Sequence, residues 1–97
     1  MSRFDTGQTD VPSAGTAVQI SNTSDRVRWI RFKAIPGNTG SGFVGKIDVS
    51  ATNGFTLEKD DDIGLEFDFK EGSVPFSDFW VDAANNGDDV EWAVILD

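Results

Sequence analysis

Residues 63–70 read IGLEFDFK, in which Ile63, Leu65, Phe67 and Phe69 fall on one side of an extended chain and Glu66, Asp68 and Lys70 on the other. A side-chain period of two describes a strand with one face buried and one face wet, and no helix can satisfy it. An antiparallel sheet packed on a core from one side follows. The remaining segments are consistent with it: short strand signals recur between turn residues, and helical spacing is absent beyond about one turn.

Six further strands are predicted, at Thr16–Ser21, Val27–Ile35, Phe43–Ala51, Phe55–Glu58, Phe79–Ala83 and Val90–Leu96. In the third of these Phe43, Ile47 and Val49 share a face, and in the fourth Phe55 and Leu57 do. Pro36-Gly37 stops a strand, Asn53-Gly54 marks a tight turn, and Asn85–Asp88 reads as a hairpin turn. The glycine-rich GNTGSG, residues 37–42, reads as a flexible connection. VEWAVIL at the end is apolar enough for burial on both faces, or for an interface on one. A chain of 97 residues makes one domain. The expectation is an all-β, single-domain antiparallel β-sandwich of about seven strands, of jelly-roll or Greek-key type, over residues 16–97. Residues 1–15 are polar, with Gly, Pro and Ser, and read as an N-terminal arm outside the core.

The strand at Val27–Ile35 poses a problem of parity. RVRWIRFK, residues 26–33, gathers Arg26, Arg28, Arg31 and Lys33, half of the eight basic residues in a chain of net charge -9. Under perfect alternation neither face would be apolar throughout. One extra residue at Trp29-Ile30, a β-bulge that turns both side chains inward, would place all four cations on the outer face. The alternative is a strand buried on both sides with charges at its ends. The cations then either meet another chain or pair with Glu66 and Asp68 on a neighbouring strand. Charge is also split along the chain. Residues 1–47 hold six basic and three acidic residues, net +3, and residues 48–97 hold two basic and fourteen acidic, net −12. Such a balance repels phosphate and disfavours nucleic acid as a partner.

Catalytic chemistry is hard to assemble here. With no His and no Cys, a Ser-His-Asp triad, an imidazole base and a thiolate metal site are all excluded. Acids in turns, as in Glu58–Asp62, read as solvated loops, and no enzyme activity, cofactor or metal is expected. DAANNGDD, residues 82–89, echoes the start of an EF-hand loop, but with Asp82 at position 1 the third position is Ala84 and the twelfth, which requires a bidentate Glu, is Ala93. GNTGSGFVG lacks the GK[ST] ending of a phosphate loop. The opening MSRFDTGQTD has no apolar signal region, and no apolar run is long enough for a bilayer span. These features suggest a soluble protein made in the cytoplasm, without membrane contact.

The order of segments AVQI, NTG-x-x-FVG (Asn38–Gly45), DVSATNGFTL (Asp48–Leu57) and FWVDAANNGDDVEWAVIL resembles small virion structural proteins of tailed bacteriophages. The resemblance spans roughly residues 16–97. It implies a single β-sandwich and, among members with assigned roles, capsid decoration (cement) proteins. An aromatic is usual in that pattern at Phe43, while a Pro-Gly turn commonly stands where this chain has Lys59–Asp61. The implied role is a non-enzymatic protein on the outer surface of a phage head, in the virion. It would bind the major capsid protein and form a homo-oligomer, a trimer being favoured. Arg3, Phe4, Arg26, Arg28, Arg31 and Lys33 are the candidate protein-interface residues. The alternative is a glycan- or receptor-binding module of a tail or fibre, with Trp80 and Trp92 as ligand platforms.

Overall fold

Nine strands and one short 3-10 turn make up the computed structural model, which describes residues 3–59, 61, 63–69 and 74–97. Lys70, at the end of the predicted fifth strand, and Asp60 and Asp62 of the acidic turn lie outside the described residues. The strands are β1 (Arg3–Val11), β2 (Val18–Gln19), β3 (Arg26–Ala34), β4 (Gly42–Gly45), β5 (Phe55–Leu57), β6 (Leu65–Asp68), β7 (Val74–Pro75), β8 (Trp80–Ala83) and β9 (Asp88–Leu96). One sheet has the order β1-β9-β3-β6, with β7 also pairing with β3, and the other has the order β2-β8-β4-β5. Every named pairing is antiparallel. The chain changes sheet at each connection except β4–β5 and β6–β7. This order is the jelly roll, two Greek keys closed into a sandwich.

The core lies between the sheets. Val27, Ile30, Phe32 and Ala34 of β3, Val90, Val94 and Leu96 of β9, Val81 and Ala83 of β8, and Val44 of β4 form one buried cluster. Each fully buried Val, Ile or Phe contributes about 1.5–3 kcal/mol over its exposed state. Phe32 anchors a chain of rings, with its centroid 6.2 Å from Phe67 and 5.7 Å from Phe79.

The predicted bulge is present, one residue earlier than expected. Val27 lies opposite Leu96 and Trp29 opposite Ile95, so Arg28 is the extra residue. Parity switches there: Val27 is buried, and so are Ile30, Phe32 and Ala34. Trp29 therefore does not enter the core as predicted but stays half-buried on the outer face. None of the four cations is buried, which removes the two-sided alternative.

The arm requires the largest correction. Arg3–Val11 is a strand paired along its whole length with β9, from Arg3 opposite Leu96 to Val11 opposite Asp88. Val11 is fully buried. The segment is polar because β1 is an edge strand, where the backbone supplies the pairing and few side chains meet the core. Gly7 lies opposite Trp92, and a Cβ there would come within 2.5 Å of Trp92 Cζ2, so the ring needs the missing side chain. The predicted strand at Phe43–Ala51 is also shorter than expected, ending at Gly45. Lys46 to Val49 form a turn closed by a Val49 N–H to Lys46 C=O bond of 2.8 Å. Val49 is buried and Ile47 is exposed, so they do not share a face.

Two loops predicted as simple connections are fastened together. The Asn38 side chain completes a strand-like pair with Asp89: Nδ2 donates to Asp89 C=O at 2.7 Å, and Oδ1 accepts Asp89 N–H at 2.9 Å. The buried Asp88 carboxylate accepts Thr39 N–H at 3.1 Å and Gly40 N–H at 3.0 Å, with Thr39 Oγ1 at 3.3 Å. GNTGSG is therefore a pinned loop and not a flexible one. Asn85–Asp88 turns with Gly87 at φ 82°, but it joins β8 to β9 in opposite sheets and so is no hairpin. Asn86 Oδ1 and Asp82 Oδ1 accept Ala14 N–H (2.7 Å) and Gly15 N–H (3.0 Å), tying the β1–β2 connection to the same end.

Candidate protein-docking surface

Strand register arranges the outer face of the β1-β9-β3-β6 sheet in rows. Phe4, Ile95, Trp29 and Asp68 are cross-strand neighbours in one row. Thr6, Ala93, Arg31 and Glu66 form the next, and Gln8, Glu91 and Lys33 the third. The first row is apolar for three strands: Phe4 is 65% exposed, and Ile95 and Trp29 are half-buried. The next two rows surround a groove of about 400 Å³ whose lining includes Thr6, Gln8, Arg31, Lys33, Glu91 and Ala93. Ala93 is small beside Arg31, Lys33, Glu91 and Gln8, and it lies within the lining of the depression.

Partly satisfied polar groups frame this groove. Trp29 Nε1–H donates to Glu66 Oε2 at 2.7 Å, and Arg31 Nη2 lies 3.5 Å from the same carboxylate oxygen. The Arg31 guanidinium carbon stands 5.9 Å from the centre of the Trp29 ring, within cation–π range. Arg31 Nε is shielded from solvent and has no hydrogen-bond partner among the described residues. The strand thus uses some of its charge internally, with Glu66. Arg28 pairs with Asp97 at 3.3 Å, and Arg3 with Asp25 at 3.0 Å. These exposed pairs each contribute less than about 1 kcal/mol.

All six candidate interface residues lie on this one sheet. Phe4, Arg31 and Lys33 stand on its outer face, while Arg3, Arg26 and Arg28 lie near the end where β9 finishes. The two candidate sugar platforms separate. Trp92 turns inward, packs against the core with its ring 5.3 Å from Phe76, and donates Nε1–H to Thr9 Oγ1 at 3.2 Å. Trp80, half-buried, lies on the other sheet opposite Gln19 and Gly45. Thr6, Ala93 and Ile95 are not marked in the sequence, because only the register of β1 on β9 and of β9 on β3 brings them beside the cations. The one local signal was Ala93, a small residue inside VEWAVIL.

A second depression of about 250 Å³ opens where β6 meets β4 and β5, lined by Phe55, Phe67, Phe69 and Phe79 together with Lys46 and Asp78. The Phe67 and Phe69 rings stack at 6.2 Å, and Phe55 meets Phe67 edge-on at 5.5 Å. At the far end of the outer face Asp10 lies opposite Asp89. Partial burial raises the Asp89 carboxyl above its ordinary value, helped by a hydrogen bond with Asp10 and by the charges of Asp10 and Asp88. Among the described residues no group of three or more His, Cys, Asp or Glu side chains is arranged to hold a metal ion. No helix among them is long and apolar enough to cross a membrane, which leaves strand-built crossings unaddressed.

No protein-family model matches the sequence, and no curated protein does. A solved structure of the Bacillus endospore appendages, described as a novel family of disulfide-linked pili, is similar in fold. Its TM-score is 0.57 at 14% identity, over 98% of this chain and 85% of that one. The likeness is one of β-rich fold alone, and it does not extend to a phage decoration family.

Proposed function

We propose that this chain is a non-enzymatic structural subunit that docks on another protein surface through the outer face of its β1-β9-β3-β6 sheet. The single observation that carries this reading is the row Phe4–Ile95–Trp29, three large apolar side chains in register and turned away from the core. Apolar side chains aligned across three strands and rimmed by cations have the anatomy of a protein interface. In its specific form the subunit is a capsid decoration protein of a tailed phage. It sits on the outside of the head as a homo-oligomer, a trimer being favoured, and contacts the major capsid protein. The net charge of -9 favours a surface turned away from packaged DNA.

A filament subunit is the second reading, favoured by the fold shared with a pilus protein over nearly the whole chain. This chain has no cysteine, so its own assembly would be noncovalent and would not use the disulfide links of that pilus. The tail-module reading is weakened by Trp92, whose ring packs inward.

Electron microscopy of the purified chain, alone and mixed with undecorated heads, tests these readings. Discrete oligomers that coat heads support decoration, and fibres formed by the chain alone support the filament. A monomer that binds neither itself nor heads overturns both. Phe4→Ser combined with Trp29→Ser should strip the coat, and full occupancy by that variant would remove this face from the interface.

A further inference from the structure

The groove over Ala93 has features that a flat docking face does not need. Its lining includes the Ala93 methyl group together with Arg31 and Lys33 on β3, Glu91 on β9, and Thr6 and Gln8 on β1. Arg31 holds Glu66 through Nη2 only, at 3.5 Å, and its shielded Nε has no partner among the described residues. The Arg31 side chain is 42% exposed, and the guanidinium N–H groups on that open side favour a carboxylate, which can take two parallel bonds. Lys33, one row along and opposite Glu91, adds a second positive charge on the same strand. The apolar row of Phe4, Ile95 and Trp29 is two residues away along each strand. In extended chain that step is about 7 Å.

We infer that this face receives an extended segment of the partner protein carrying an apolar residue and, two positions away, Asp or Glu. The apolar side chain rests on Phe4–Ile95–Trp29, and the carboxylate enters the depression at Ala93 between Arg31 and Lys33. An extended segment running along the strands presents residues i and i+2 on one side, so both anchors are met without distortion. The inference rests on the docking reading and specifies the chemistry of the partner. Acidic saccharide is the rival occupant, since it also offers a carboxylate, but it has no side chain for the apolar row.

The test is a nuclear magnetic resonance titration of the whole chain with three blocked pentapeptides: Gly-Leu-Ser-Glu-Gly, its Gln analogue, and Gly-Leu-Glu-Ser-Gly. A glucuronate disaccharide is the fourth probe. The first peptide should shift Thr6, Ala93 and the Arg31 Nε–H resonance, with an affinity about tenfold above either other peptide. Ala93→Leu, which fills the depression, and Arg31→Gln, which leaves it open, should each abolish that preference while retaining the wild-type melting profile. Equal binding of the Glu and Gln peptides, shifts confined to another face, or stronger binding of the disaccharide would overturn the inference. Coating of heads that depends on Phe4 and Trp29, with no peptide preference, would reject the inference and keep the docking reading. Failure of the chain to coat heads or self-assemble, with the peptide preference intact, would reject the proposed function and leave the site.

Discussion

The loop end around Asp88 and the outer sheet face around Arg31 both carry charge, yet they treat it in opposite ways. At the loop end Asp88 and Asn38 are buried, and each makes several hydrogen bonds to backbone groups of the segment opposite. On the sheet face Arg31 is held by one long contact and one ring, and Phe4 is largely in solvent. A buried, satisfied polar group holds the fold, because losing one partner strands the other in a dry place. A half-exposed and incompletely bonded group contributes little to the fold and remains available to a partner. The comparison separates residues that hold the fold from residues on which the proposed docking rests.

Asp88→Ala should probe the difference most severely. It strands Thr39 N–H and Gly40 N–H, and it should cost about 3 kcal/mol in chemical denaturation. In a domain of this size that lowers the midpoint of thermal melting by well over 10 °C, roughly. A loss under about 1 kcal/mol would show that water replaces the carboxylate and that the loop end is no latch. Asn38→Ala should follow at about 2 kcal/mol, since it removes both bonds to Asp89. Arg31→Gln should change stability by less than about 1 kcal/mol while weakening attachment to particles in a salt-dependent way, whereas Trp29→Ser should weaken it with no dependence on salt. A large stability loss from either would move the sheet face into the first category.

The smallest effect is expected at the Asp10–Asp89 pair. The folded protein holds the Asp89 proton more tightly than the unfolded chain does, because partial burial and then Asp10 raise its carboxyl. The favourable contribution is fully present below the ordinary carboxylate value and is lost as pH rises through the raised one. At neutral pH the pair is a net repulsion, so Asp89→Asn should stabilise the protein by a few tenths of a kcal/mol, roughly, given its solvent exposure. The gain should vanish near pH 3 to 4, approximately, in parallel melts of variant and parent.

Legibility in the sequence followed burial. The alternation around Leu65, Phe67 and Phe69 named a half-buried strand correctly, since a one-sided sheet imprints itself on neighbouring residues, but Ile63, assigned to the same face, precedes β6 and is exposed. The bulge was inferable because perfect alternation leaves neither face of the strand apolar throughout, but its position at Arg28, which turns Trp29 outward, depends on pairing with β9. β1 was missed for the same reason that β6 was found. Its order comes from β9 and from Trp92 lying over Gly7, so its own residues carry almost no apolar signal. The sequence marked the cations of β3 as interface candidates, but the groove needed Ala93 and Thr6, which reach it only through register. The fastening of Asn38 and Asp88 joins segments far apart in the chain, and no local pattern announces it.

The surplus position at Arg28 bears on how relatives of this chain can differ in length. β3 spends two steps, Val27 to Trp29, where β9 spends one, Leu96 to Ile95. Excising Arg28 would leave Val27 and Ile30 both facing inward and Trp29 outward, so inside and outside would not exchange. Elsewhere in the strand the loss of one amino acid would invert every side chain beyond it. This is a joint at which a central strand tolerates being trimmed, with one cation and a local bend as the forfeit.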